Sequence, residues 1–419
     1  MSSTWFNTLG IQEAQLAANV RPTFSILSLA VASTVLLLGV ALQRADSQFE
    51  RAHGCGTPRP LQYKWPFALD LVIDAFRIIA EKQALQWFVQ IFERTGPTFE
   101  QNVLGVKGID TVEPDNLESI LSTQFSDKLL GSGFDSQAQN VDPTFAPLLG
   151  DGIFTQEAAP WKHSRDMLRP LFSLNRANIF TQVEEHTEYL GKLASLRLFE
   201  SFLDALIQQT RDPKVLRDQL LNVMLAGRDT TARCLTWTFR LLAQHPHVLA
   251  KLRQEIGSVV GLGTGSRLPD RNDLKRMKYL NPVFKEVLRL YPSVSINSRT
   301  ALEATTLPTG GGPDGTKPVM IRKGEAVGYS VYVMHRLKKL YGEDAASFRP
   351  ERWDPDMKNA VDLKNIGWGY LPFNGGPRIC LGQEFALLEA GFVVVRILQK
   401  FRSFELGSKD KDVVAGTEN

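Results

Sequence analysis

The chain has 419 residues, 43% hydrophobic and 22% charged, an ordinary globular mix that excludes disordered, collagen-like and other fibrous classes; at about 150 residues per domain it would hold two or three domains, although one large helical domain also reaches this size. The 48 Lys and Arg nearly balance the 45 Asp and Glu, for a formal net charge of +3, so the basic excess of a nucleic-acid-binding domain is missing. Three cysteines are too few for a disulfide framework and place the bulk of the chain in a reducing compartment.

From Phe24 to Leu42 the sequence is apolar and uncharged. As a helix this run is about 28 Å long, just enough for a hydrocarbon core of about 30 Å. A cleaved signal has a shorter core and a small-residue cleavage site, and a buried soluble helix is the other alternative. The run predicts a transmembrane anchor at 24–42 behind a short non-cytoplasmic N-terminus at 1–23. Arg21 precedes it, while Arg44, Arg51, Arg59 and Lys64 follow, so the positive-inside rule puts the remaining chain in the cytoplasm. Residues 43–66, rich in Gly and Pro from His53 to Pro66, read as a hinge, and 67–419 as the globular part.

Apolar positions recur at helical spacing from Asp70 to Glu93. Thr98 to Val106 and Gly108 to Val112 read as short strands, and Asp115 to Leu121 as a short helix started by Pro114. Helical patterns dominate from Trp161 to Leu290, strands from Leu302 to Tyr332 around the turn Thr309 to Gly315, and helix again from Gln383 to Phe401. The fold expected is mainly α with small β-sheets. Gly261 to Gly265 resembles a dinucleotide loop only superficially, because Leu268-Pro269-Asp270 follows in place of a helix. His245-Pro246-His247 starts the next helix, and Cys55 and Cys234 read as free thiols.

The most informative stretch is Phe373 to Gly382, FNGGPRICLG. Cys380 sits at the mouth of a helix, where backbone amides favour a negative sulfur. Glycines there let the backbone approach a large planar ligand, and Arg378 can neutralise a nearby anion. From these residues alone the arrangement suits a metal-binding thiolate beside an anionic cofactor, with a buried structural cysteine as the alternative.

The spacing Phe373-x-x-Gly376-x-Arg378-x-Cys380-x-Gly382 resembles the haem-binding loop of the cytochrome P450 family. Three further elements of that family occur in order: Glu286-x-x-Arg289, Pro350-Glu351-Arg352-Trp353, and Ala226-Gly227-Arg228-Asp229-Thr230-Thr231. The resemblance implies a cytochrome P450 fold with haem b ligated through its iron by Cys380. It implies a buried cluster of Glu286, Arg289 and Arg352, although a solvated helix pair fits Glu286 and Arg289 equally well. Thr230 and Asp229 would deliver protons during oxygen activation; the plain alternative is a Thr230 hydroxyl bonded back to its own helix. Trp161, Arg165, Arg299 and Arg378 would hold the haem carboxylates, and Phe373 and Gly376 would shape the loop.

The implied reaction is insertion of one oxygen atom into a C–H bond, or epoxidation, with O2 and electrons from a separate NADPH-cytochrome P450 reductase. The wording around Cys380, Gly54-Cys55 and Asn297-Ser298-Arg299-Thr300 resembles the fungal alkane and fatty-acid hydroxylase branch. The implied substrate is lipophilic, a long aliphatic chain or fatty acid or a polyketide-type secondary metabolite, with Val294, Ile296 and Asn297 lining its side. Together with the anchor, this implies a single-pass protein of the endoplasmic reticulum membrane. One departure stands out: Arg165 and Ala226 are 61 positions apart, an interval the family fills with several long helices. Roughly 90–100 residues, worth about 140 Å of helix, are missing near Leu190 to Leu198 by this comparison. The alternatives are therefore a catalytically inactive truncated haem-binding relic and a haem-thiolate isomerase or dehydratase. A cysteine hydrolase is disfavoured, since no histidine lies near Cys380 in sequence.

Overall fold

The computed structural model describes residues 31–125, 147–174, 202–357 and 360–406. Two compact units divide the chain, residues 1–56 and 57–419. In the first, residues 31–52 are helical. The helix is uncharged as far as Leu42 but then carries Arg44, Asp46, Glu50 and Arg51. Its described apolar part is thus about 18 Å long, well short of a hydrocarbon core of about 30 Å.

Among the described residues no helix is long and apolar enough to cross a membrane. The expected anchor at 24–42 is corrected accordingly, and residues 24–30 of it lie outside the described residues. With it fall the membrane-anchored form of the enzyme, the membrane as partner, and the single-pass location in the endoplasmic reticulum. The mainly α fold with small sheets stands without the anchor.

The second unit begins inside the expected hinge. Strand β1 (Arg59–Pro60) pairs in parallel with Phe99 and Glu100 of β2 (Thr98–Val103), so part of that Gly/Pro-rich stretch is sheet. The helical stretch expected from Asp70 to Glu93 is two helices, α1 (Leu69–Ala80) and α2 (Ala84–Thr95). Lys82, at φ 61°, breaks them, because a left-handed residue cannot continue a right-handed helix. Strand β3 (Val106–Thr111) returns against β2. Pro114 opens α3 (Pro114–Glu118), whose fixed φ and missing N–H suit a first helical turn. A π-helical turn, Ser119–Thr123, follows.

The large helices are α4 (Ala158–Leu174), α5 (Pro213–Gln244), α6 (Pro246–Val260), α7 (Arg271–Arg276) and α8 (Leu280–Leu290). Asp212 caps α5 by accepting from the Lys214 amide at 2.8 Å, with Pro213 at the first helical position. Asp270 and Asp273 cap α7 reciprocally. Strands β4 (Ile296–Thr300), β5 (Thr305–Gly311), β6 (Lys317–Ile321) and β7 (Ala326–Ser330) precede the short helices α9 (Val331–Met334), α10 (Lys338–Tyr341) and α11 (Leu363–Ile366). The last helix is α12 (Gln383–Lys400).

One sheet runs β1-β2-β3-β7-β4, and a second pairs β5 with β6. Its register sets Val327 between Ile109 on β3 and Arg299 on β4. Buried Asn116 ties the two sheets: its amide donates to the hydroxyls of Thr98 and Thr111 and to the Thr309 carbonyl. One apolar core joins α5, α6, α7, α8 and α12, with Val283, Val287, Val394 and Leu398 fully buried. A second core lies under the five-stranded sheet. The cysteine loop passes between them, since Phe373 packs on the first and Leu371 on the second.

Candidate active site

The loop before α12 is built by its own backbone. The Asn374 amide donates to the Leu371 carbonyl at 3.2 Å, and the Cys380 amide reaches back to the Phe373 carbonyl at 3.0 Å. Asn374 (φ 63°) and Gly376 (φ 66°) take left-handed conformations to make the turn. At Gly376 no side chain fits: a β-carbon would lie 1.8 Å from the Leu121 carbonyl oxygen of the π-helical turn.

Cys380 is exposed, with its thiol free. The Gly382 amide and the nearby Arg165 charge favour the thiolate, but desolvation outweighs both and raises the thiol pKa. A metal cation at the sulfur reverses that balance, because a coordinating thiol is deprotonated.

Cationic groups gather on one side of the loop. The Trp161 ring is buried, with the Arg378 guanidinium 4.1 Å and that of Arg165 5.6 Å from its centroid. Arg165 Nη1 donates to the Ile379 carbonyl at 3.0 Å, next to Cys380. Desolvation, then the neighbouring Arg169, lowers the Arg165 pKa, so an anion here would be welcomed. Arg299 is fully buried on β4. Its Nη1 donates to the Ser298 carbonyl (2.7 Å) and Asn297 Oδ1 (3.2 Å), while Nε and Nη2 have no acceptor among the described residues. Buried guanidinium N–H groups in that state call for an anionic partner. A thiolate-ligated haem needs a cysteine sulfur, a close backbone and cations for two carboxylates. Cys380, Gly376 and the arginines 165, 299 and 378 fit those needs.

Beneath the loop, Glu286, Arg289 and Arg352 are fully buried and share one network. Glu286 accepts from Arg289 Nε (2.9 Å) and Nη2 (2.8 Å), Arg352 Nε (3.2 Å), the Arg349 amide (3.0 Å) and Trp353 Nε1 (2.9 Å). The solvated-pair alternative for Glu286 and Arg289 is thereby excluded. Arg352 also reaches Asp344 Oδ1 at 2.9 Å.

On α5, the Thr230 hydroxyl bonds back to the Ala226 carbonyl at 2.5 Å. Asp229 is exposed and paired with Arg228 at 2.8 Å, which holds its carboxyl below the usual range. Among the described residues nothing lies within 4 Å of where a Gly227 β-carbon would be, so the helix faces open space there. Val294 and Ile296 are exposed, whereas Asn297 is spent on the Ser298 amide and Arg299. The Ser293 hydroxyl joins this segment to α5 at the Thr230 carbonyl, 3.0 Å away.

Two functional candidates escaped the sequence reading. Tyr329 on β7 donates its hydroxyl to Asn374 Oδ1 at 3.1 Å, holding the left-handed residue of the loop. His335 is fully buried, bonded to the Arg289 carbonyl and to the Leu371 amide. No local pattern marks either one, since each partner is over 35 positions away.

Desolvation, with the Arg289 charge next, pulls the His335 pKa down to about 3. An unfolded histidine titrates near 6.5, so the neutral ring stabilises the fold above that pH. This contribution is lost as pH falls from about 6.5 towards 3, at up to about 1.4 kcal/mol per unit. Urea unfolding should therefore lose about 1.5–2 kcal/mol more between pH 7 and pH 5 in the parent than in His335→Gln, a comparison in which the buried Glu389 and Asp110 carboxyls, pushed up to about 7 and about 6, titrate alike; equal losses would refute this burial of a neutral imidazole.

Residues 194–415 match the sequence profile of the family described as Cytochrome P450. A cytochrome P450 of Arthroderma benhamiae is 42% identical over 86% of this chain and 88% of its own. Cytochrome P450 52A13 of Debaryomyces hansenii is 33% identical over 94% and 95%, and cytochrome P450 52A5 of Candida maltosa 37% over 74% and 78%. The first alignment is 465 positions long but takes in 86% of 419 residues, so about 105 of its positions have no residue in this chain. Residues Leu190 to Leu198, where the sequence reading put the shortening, lie outside the described residues.

Proposed function

The chain belongs to the cytochrome P450 family of haem-thiolate monooxygenases, and from that premise we propose that Cys380 holds its haem iron and that its substrate is an extended lipophilic molecule. The observation that carries the reading is Cys380 itself: an accessible sulfur at a helix mouth, beside Arg165 and Arg378. When bound, the haem supplies oxygen activation, one atom entering the substrate and the other leaving as water.

The chain's own residues have distinct tasks in this reading. The Gly382 amide stabilises negative charge on the sulfur. Arg165 and Arg378, stacked about Trp161, would take one carboxylate of the haem, and buried Arg299 the other. The open space at Gly227 leaves room for a small ligand. Thr230 Oγ1 and the carboxylate of Asp229, one residue before it on α5, would hold and move protons beside that space. Val294 and Ile296 present apolar surface to the substrate, a choice that suits an aliphatic chain or a polyketide-type molecule. Electrons would come from a separate NADPH-dependent reductase.

A second reading, a haem-binding protein without turnover, is favoured by two observations. About 105 positions of the relatives' alignment are missing, and Met224, Leu225 and Asp229 on α5 are exposed to water.

The decisive experiment is the absorption spectrum of the reduced, carbon-monoxide-bound protein beside a Cys380→Ala control. A thiolate-type Soret band that disappears in the control is expected. A band that survives in the control, or the absence of any haem spectrum, overturns the assignment of Cys380. With that band present, product formation from a fatty acid, scored against NADPH consumed, separates the monooxygenase from the non-catalytic protein.

A further inference from the structure

His335 stands between the buried charge cluster and the cysteine loop. The Leu371 amide can only donate, so the His335 Nε2 that lies 2.9 Å away must accept. The proton therefore sits on Nδ1, which donates to the Arg289 carbonyl at 3.1 Å. Arg289 answers with its own Nη1, 2.7 Å from the His335 carbonyl. Histidine and cluster are thus locked to each other by two bonds in opposite directions, both shielded from water. Tyr370 stacks on the imidazole, with ring centroids 5.2 Å apart, and its hydroxyl donates to the Lys285 carbonyl of α8.

On the loop side, Leu371 is where the turn begins. Its carbonyl takes the Asn374 amide, and two residues on, the Phe373 carbonyl takes the amide of Cys380. Tyr329 grips Asn374 independently. The entry of the loop is therefore bracketed by two side chains from outside it, at positions 371 and 374, and the imidazole alone of these two connects to the charge cluster.

We propose that His335 is a positioning residue for the sulfur ligand: its Nε2 fixes the Leu371 amide against the Glu286, Arg289 and Arg352 cluster, and the loop's own bonds carry that register to Cys380. The inference rests on the reading of Cys380 as the haem ligand. The imidazole can do this task only in its neutral form. An imidazolium would lose the acceptor that Leu371 needs and would set a third positive charge beside Arg289 and Arg336.

Three variants separate the bonds from the packing. His335→Gln keeps an acceptor at the reach of Nε2, His335→Asn keeps a donor at the reach of Nδ1, and His335→Phe keeps the ring and its stacking. Two readouts are compared in the full chain: hydrogen exchange of the Leu371 and Asn374 amides, and the share of the ferrous carbon monoxide complex with a thiolate-type band. We expect H335Q to stay near the parent in both. In H335N and H335F the Leu371 amide should exchange about tenfold faster or more, and most of the thiolate-type band should be lost. Equal exchange in H335Q and H335N, or retention of both signals by H335F, would overturn the proposal in favour of ring packing. The exchange comparison does not depend on haem. A parent without a thiolate band would thus refute the assignment of Cys380, while the three variants would still decide whether His335 sets the loop.

Discussion

Replacing Glu286 by glutamine is expected to destabilise the protein by about 3–5 kcal/mol, because it leaves buried guanidinium groups uncompensated. The carboxylate receives five N–H donors on two oxygens: two from Arg289, and one each from Arg352, Trp353 and the Arg349 backbone. A glutamine keeps the volume but turns one acceptor into a donor, which must then face either the Arg289 and Trp353 groups or the Arg289, Arg352 and Arg349 groups. Asp344 remains as a counter-charge for Arg352, but it is partly exposed and does not reach Arg289. Domains of this kind are stable by about 5–15 kcal/mol in all, so the variant should unfold at much lower urea concentration and retain little haem. A change below about 1 kcal/mol, the size expected of a surface pair, would show that the cluster is hydrated in solution.

Gly376→Ala is the second large effect. A left-handed backbone costs an alanine about 1–2 kcal/mol, and the added methyl would sit 1.8 Å from a backbone oxygen that cannot rotate away. Leu121 belongs to the π-helical turn, which is buried under the sheet. Loop and turn must therefore separate, at a further cost of about 1–3 kcal/mol for overpacking. We expect loss of haem binding together with a lower unfolding midpoint. Gly227→Ala is the internal contrast. Its backbone is helical and its surroundings open, so by helix propensity it should gain about 0.5–1 kcal/mol. If the two variants behaved alike in calorimetry, the close approach at Gly376 would be wrong.

What the sequence made legible was chemistry written in consecutive residues. Glu286 and Arg289 share one helical face, Trp161 and Arg165 are one turn apart, and the cysteine loop is a single stretch of ten residues. Each of these is a short local pattern, and the resemblance to a known family, not the spacing alone, gave it a role. His335 and Tyr329 were missed because their roles exist only after the chain folds. A buried histidine joining residues 289 and 371 has no periodicity to reveal it. The anchor failed for the opposite reason. The apolar run was real, but its described part, residues 31–42, is only about 18 Å long before the helix takes up Arg44, Asp46, Glu50 and Arg51, and no described helix is long and apolar enough to cross a membrane. Asp115 to Leu121 was placed as a helix and starts as one, whereas the switch to a π-helical turn at Ser119, which Gly376 approaches from far along the chain, has no local signal.

The five-stranded sheet has a consequence for how this protein is made. Ile109 on β3 pairs with Val327 on β7, over two hundred residues later. At a synthesis rate of about 5–20 residues per second, the early hairpin leaves the ribosome about 10–45 s before its partner strand exists. Throughout that interval the nascent chain presents an unfilled strand edge, the usual template for pairing with a neighbour. Any message truncated before codon 330 would leave that edge open for good, so prematurely terminated products are expected in aggregates or bound to chaperones.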